Sequence, residues 1–534
     1  MLDFEPEVVT PQSEKLAGRF NSVADYHEAY KSGEITPLQV VETLLPLIRR
    51  DVEKPSKYAN AWIQTHVDEV LAAAKASTER WAAGKPLGVL DGVPFGVKDD
   101  TAVKGYVSTM GMKVNKNIPY FNKPAEKTIW PAQKMEEAGA IMVGKMNQHE
   151  IGMDTTGCNV STLPILIYRE SEQLTAMQPV TGTPTNWYNT SYFPGGSSSG
   201  GGSALSGGVV PITIGTDAGG SMRIPPAFCG VYGLKTTHNR TATRNSSVAV
   251  IGPMASTVSD LVIGYRVMSQ PNPEDPDQHS LALSVPPAPD AKKYLGICRE
   301  WLDQADPDVR SVYDAALKYL TEQAGYEAVD IKLAYLREGQ LAHAATCLTE
   351  ATNGCKTRVA DWDRTRYLEP LNHHNALLIS VASHTPAEDY LRWGQIRGVI
   401  MRHLAFLFEK YPGLLVLTPT TPVAGWPIHP GDEAYGTVDG NLSIRNMTYA
   451  WYANMSGCPA VTCPAGYVEP QQGEGTLPVG LMAMGEWGAE EQLLSFARDT
   501  EKYLNEVVPG GRRRPEQWLD VLGEARKGAG AALK

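Results

Sequence analysis

Two Gly-Gly-Ser corners on either side of a short apolar stretch limit what this chain can be more than any other feature. One ends at Ser197 within the run Pro194-Gly-Gly-Ser-Ser198, and the other ends at Ser221 after Ala218-Gly219-Gly220. Glycine-rich runs are commonly solvated linkers. A linker has no use for the apolar segment 209–214 between the corners, nor for Asp217 and Arg223 at the second one. Read as structure, the segment is a strand that carries two tight turns, each presenting a hydroxyl. Glycines let backbone N–H groups approach a ligand without a Cβ in the way.

A serine at the end of such a turn is placed to attack a carbonyl. The N–H groups of Ala218, Gly219, Gly220 and Ser221 are then placed to hold the oxyanion that forms. No histidine lies in either corner, so the base must come from elsewhere. Lys98 follows the apolar run Val93-Pro94-Phe95-Gly96-Val97. Burial there disfavours its charged form, and a neutral amine is a competent base for a hydroxyl. Ser197 offers a second hydroxyl to pass the proton on. A rival reading takes Gly196-Ser-Ser-Ser-Gly200 as a GxSxG nucleophile elbow with Ser198 attacking. That reading needs a strand before the elbow and a histidine partner, and neither is legible. A third option, from a different class, is a non-catalytic scaffold that binds amides.

Gly92-Val-Pro-Phe-Gly-Val-Lys-Asp99, the run at 194–198 and Gly215-Thr-Asp-Ala-Gly-Gly-Ser-Met-Arg-Ile-Pro225 resemble the amidase signature family. Ala227–Lys235, Gly144–Asn147, the Thr-Pro at 418–419 and Asn454–Ala460 continue the likeness, which extends over most of 22–505. The resemblance implies an α/β fold with one large mixed β-sheet covered by helices on both faces. It implies a Ser-cisSer-Lys triad with a cis peptide between Gly196 and Ser197. In that family the relay and nucleophilic serines are 24 residues apart, the separation of Ser197 and Ser221 here. Lys98 is then the base, Ser197 the relay and Ser221 the nucleophile. Residues 218–221 form the oxyanion hole, and Ser198, Asp217 and Arg223 support the site. The implied reaction is hydrolysis of a small-molecule carboxylic amide, with esterase activity an accessible extension and no metal or organic cofactor required. The glutaminase subunit of a tRNA-dependent amidotransferase resembles the same family and stands as an alternative.

Two departures from the family pattern stand out. Position 199 is Ser where glycine is usual, and the segment from 159 to about 181 is long, with an apolar stretch at Leu163–Tyr168. That segment is expected to shape the acyl pocket.

Residues 1–21 read as a loose leader, 22–505 as a single domain with its signature core at about 88–236, and 506–534 as a tail. Thr36, Pro37 and Gln39 form a helix start, and Pro46 predicts a kink or early end. Helices are expected at 66–83, 126–138, 306–325, 386–410 and 488–504. Strands are expected within 88–100, at 140–144 and from 413 to Pro419. The formal net charge of −11 repels polyanions, so neither nucleic acid nor an anionic membrane is an expected partner; a homodimer is left open. Seven cysteines without zinc spacing, no apolar leader and no membrane-length segment make a cytoplasmic location the expectation. Cys229, His149, Met110, Met112 and Met153 read as structural.

Overall fold

The computed structural model describes residues 2–532 apart from 160–181, 280, 282–283, 289, 433–436 and 438. The long segment expected to shape the acyl pocket therefore lies, apart from Asn159, outside the described residues.

Eleven strands form one sheet. They are β1 (Trp62–Gln64), β2 (Pro94–Lys98), β3 (Ile141–Met146), β4 (Ile212–Asp217), β5 (Tyr232–Lys235), β6 (Val250–Ala255), β7 (Lys293–Ile297), β8 (Tyr326–Asp330), β9 (Leu414–Pro419), β10 (Ala460–Val468) and β11 (Leu477–Met484). Their order is β1-β3-β2-β4-β6-β5-β10-β11-β9-β7-β8. β2 runs parallel to β3 and β4, and β7 runs parallel to β8 and β9. The remaining pairs are antiparallel, so the sheet is mixed, as the resemblance implied.

Alternation along the central strands explains the covering on both faces. Successive strand residues point to opposite sides of a sheet. In β9, Leu415 and Leu417 enter one apolar cluster while Leu414 and Val416 enter another; β11 divides Leu481 and Ala483 from Met482 and Met484 in the same way. The first cluster draws on helices Pro307–Glu322 and Glu490–Glu506, the second on Ala387–Lys410 and Trp451–Ser456. A strand buried on both faces reads as a continuous apolar run, which is how 413–418 appears in the sequence.

The cap at Thr36 forms both of its reciprocal hydrogen bonds. The helix continues past Pro46 and ends at Ile48, so the proline sits in its last turn. The segments before 22 and after 505 both put side chains into the larger core: Val8 from the first, and Val521, Leu522 and Ala525 from helix Val521–Ala532.

One element differs from expectation. Residues Ser199–Ser206 form an α-helix, and the strand after it starts at Ile212 rather than 209. Val209 closes the helix end by donating its N–H to Ala204 O at 2.9 Å. Three glycines lower helix propensity by roughly 1 kcal/mol each, which hid this helix from pattern reading. Packing requires one of them outright: a Cβ on Gly200 would overlap Ala61 O and Asn147 N.

Candidate active site

Parallel pairing of β2 with β4 brings the carboxyl ends of the two strands to one edge of the sheet, a common place for sites in α/β folds. Lys98 is the last residue of β2, and Thr216 and Asp217 end β4. The Gly196–Ser198 corner leads into helix Ser199–Ser206 beside them. Two backbone bonds pin this corner to the loop at 149–157: Gly196 N–H donates to Thr155 O at 2.7 Å, and His149 N–H donates to Ser197 O at 3.0 Å. The peptide bond between Gly196 and Ser197 is cis.

The three side chains singled out in the sequence lie in a row. Lys98 Nζ is 2.8 Å from Ser197 Oγ, which is 2.9 Å from Ser221 Oγ. Lys98 is 2% exposed. Burial lowers its pKa to about 8, against the opposing pull of the Asp100 and Asp217 carboxylates and with the help of Arg244. Nζ also reaches Thr216 Oγ1 at 2.9 Å, and that hydroxyl donates to Asp100 Oδ2 at 2.6 Å. Behind β2, Lys145 donates to the carbonyls of Asp99 and Thr101 and braces the turn that follows Lys98.

Asp217 and Arg223 are fully buried and paired through two hydrogen bonds of 2.9 and 3.0 Å. Asn454 bridges them, donating to Asp217 Oδ1 and accepting from Arg223 Nη2. Burial alone would raise the Asp217 pKa; Arg223 and the N–H groups of Met222 and Gly220 outweigh it and hold the carboxyl far below its usual range.

The last of these donors bears on one expectation: of the four amides expected to face an oxyanion, Gly220 N–H is already committed to Asp217 Oδ1 at 2.7 Å. Those of Ala218, Gly219 and Ser221 meet no acceptor among the described residues. His343, which sequence reasoning passed over, helps aim them: its Nε2–H donates to Ala218 O at 2.7 Å. In a trans peptide the N–H points opposite to the C=O, so this bond turns Gly219 N–H the other way. Burial lowers the His343 pKa to about 4, which keeps the ring neutral.

Ser198 Oγ donates to Thr216 O at 3.3 Å and has no histidine partner among the described residues, so the elbow reading lacks its base. Ser199 Oγ is buried without a partner among those residues. Ser199→Ala is therefore expected to hold stability within about 0.5 kcal/mol or to raise it, since an unmade buried hydrogen bond carries a cost. Thermal melts check this, and a loss of several degrees would contradict it. Cys229 is core: its thiol is pushed up to about 12 by burial. Met112 is buried in an apolar cluster with Ile118, Phe121, Ile151 and Ile379, and Met110 and Met153 pack against it. Among the described residues no group of three or more His, Cys, Asp or Glu could hold a metal ion. None of their helices is long and apolar enough to cross a membrane.

Comparison with known proteins shows the family. The model of the amidase family matches residues 43–494. The chain belongs to the amidase family. Membership gives this amidase its reaction class, hydrolysis of a carboxylic amide. A fatty acid amide hydrolase from Medicago truncatula is 30% identical over 95% of this chain and 79% of its own length. A glutamyl-tRNA(Gln) amidotransferase subunit from Chloroflexus aggregans is 29% identical, over 93% of this chain and 98% of its own. Among solved structures, a bacterial aryl acylamidase of the amidase signature family superposes with a TM-score of 0.72 at 21% identity, covering 96% of this chain and 98% of that one. That likeness supports the fold of this amidase: one large mixed sheet.

Proposed function

We propose that Lys98, Ser197 and Ser221 carry out amide hydrolysis through an acyl-serine, on substrates with an apolar acyl group. The observation that carries the reading is the unbroken row from a buried amine through one hydroxyl to another, at 2.8 and 2.9 Å. As Ser221 Oγ attacks the carbonyl carbon, its proton passes to Ser197 Oγ, and the Ser197 proton passes to neutral Lys98. The oxyanion lodges against the N–H groups of Ala218, Gly219 and Ser221; one such donor contributes about 3–4 kcal/mol elsewhere. Collapse breaks the C–N bond, and the proton on Lys98 returns through Ser197 to the departing amine. Water repeats the sequence on the acyl-enzyme, releasing the acid and restoring Ser221. An ester would acylate the same serine.

Support for an apolar acyl group comes from two directions. The Medicago relative is named for fatty acid amides. Gly152, where a Cβ would stand 3.5 Å from Ser197 Oγ, follows Ile151, which belongs to an apolar cluster with Met112, Ile118 and Phe121. A panel of primary amides of increasing acyl length, with an aryl amide and glutamine, tests this, with Ser221→Ala as the control. The expected result is kcat/KM rising with acyl length by about threefold per added methylene until the acyl site is filled. Glutamine as the preferred substrate, or turnover that survives Ser221→Ala, would contradict it.

A further inference from the structure

A lysine that must be uncharged to act stands beside a carboxylate that favours its charge, and the surroundings of Asp100 show how the two coexist. Asp100 Oδ2 is 4.0 Å from Lys98 Nζ and is joined to it through the Thr216 hydroxyl. By itself, a buried carboxylate at that distance would hold the amine as ammonium across the neutral range. The guanidinium of Arg244 lies on the same carboxylate oxygen, 3.9 Å from Oδ2. Arg244 comes from the loop before β6, and its side chain is 22% exposed while that of Asp100 is 9% exposed.

Among the described residues, the other charged or titratable groups near Lys98 and Asp100 include Asp217 at the end of β4, His149 from the neighbouring loop, and Asp99, which faces Lys145. Lys145 on β3 acts on Asp100 from behind. Of these, Asp217 is already matched by Arg223, and burial disfavours the charged form of His149. Asp100 is thus the carboxylate whose charge bears most directly on the amine, and Arg244 is its partner on the solvent side.

We propose that Asp100 and Arg244 are a matched positioning pair for Lys98: the carboxylate orients the amine through Thr216, and the guanidinium offsets enough of its charge for the amine to stand uncharged when substrate arrives. The inference rests on the reading of Lys98 as the base. Neither residue touches the reacting atoms. Their effect is on the direction in which Lys98 points and the pH at which it loses its proton.

The two members of the pair pull in opposite directions, and that separates this role from a merely structural one. Removing the Arg244 charge leaves Asp100 free to favour the ammonium, so Arg244→Gln moves the acid limb of kcat/KM to higher pH. Removing the Asp100 charge moves that limb to lower pH, and because the orienting acceptor is weakened, kcat falls with KM little changed. Each shift is expected to be about half a pH unit or more. Asp100→Asn with Arg244→Gln should return the limb toward that of the parent, and Arg244→Lys should hold it in place. Shifts in the same direction, or no shift in either variant, would overturn the proposal. Should Asp100→Asn not give folded protein, the contrast between Arg244→Gln and Arg244→Lys decides alone. Lys98→Ala is measured alongside. If it keeps the parent's activity, the base assignment itself fails. If it is inactive while the limbs stay fixed, the base stands and only the positioning pair is refuted.

Discussion

Lys98→Ala is expected to lower kcat/KM on the best amide by about 10²–10⁴-fold near neutral pH, the usual contribution of a positioned general base. The substitution removes the proton acceptor that lies 2.8 Å from Ser197 Oγ and leaves both hydroxyls in place. Lys98→Arg makes the sharper comparison. It keeps a cation at the position, but a guanidinium does not give up its proton in a protein. A structural cation would be replaced adequately by arginine; a base would not. Both variants are therefore expected to lose activity by about 10²-fold or more, with circular dichroism and melting curves showing a retained fold. Turnover of Lys98→Arg within a fewfold of the parent would contradict the assigned role.

The largest effect on stability is expected at Asp217. Its carboxylate and the Arg223 guanidinium are both fully buried, so Asp217→Ala leaves a cation without its counter-charge in the core. Breaking one side of such a pair costs about 3–5 kcal/mol. The loss also frees Gly220 N–H and Met222 N–H, which Asp217 holds at 2.7 and 3.0 Å, and so loosens the turn that carries Ser221. Pairing Asp217→Ala with Arg223→Met should recover part of the lost stability, because no charge is then stranded. Denaturant midpoints measure both variants. Because the Asp217 pKa is depressed on folding, the stability it contributes is present above the unfolded value of about 4 and is lost only as pH falls through the lower folded value. The deficit of Asp217→Ala should accordingly persist through neutral pH and shrink in strong acid.

What the sequence made legible was the chemistry that is local in the chain. A glycine-flanked serine announces a turn, and an apolar run announces a buried strand with Lys98 at its end. Resemblance to a family then chose Ser197 from three adjacent serines. The contacts that complete the site come from residues of ordinary local context, most of them far from Lys98 in sequence. Asp100 belongs to the turn just after Lys98, Thr216 to a strand pattern and Arg244 to a polar loop; only the pairing of β2 with β4 and the course of the loop before β6 bring the last two to Lys98. His343 lies within a long helix, Leu336–Arg358, whose pattern gives no sign that one ring reaches Ala218 O. The commitment of Gly220 N–H to Asp217 was equally hidden, because composition shows that a backbone donor exists and not what it faces. Helix Ser199–Ser206 went against propensity: Gly200 allows close approach to the backbone of Ala61 and Asn147, and that tertiary reason outweighs the local cost.

One measurement bears most directly on the claim that an uncharged Lys98 activates Ser221 through Ser197. It is the rate of covalent labelling by a fluorophosphonate as a function of pH, with the adduct located by peptide mapping. A single adduct on Ser221 is expected, formed at a rate that falls about tenfold per pH unit below a pH of about 8, the range set by the lowered Lys98 pKa, and levels off above it. An adduct on Ser198, or labelling of Ser221 at a rate indifferent to pH across this range, would contradict it.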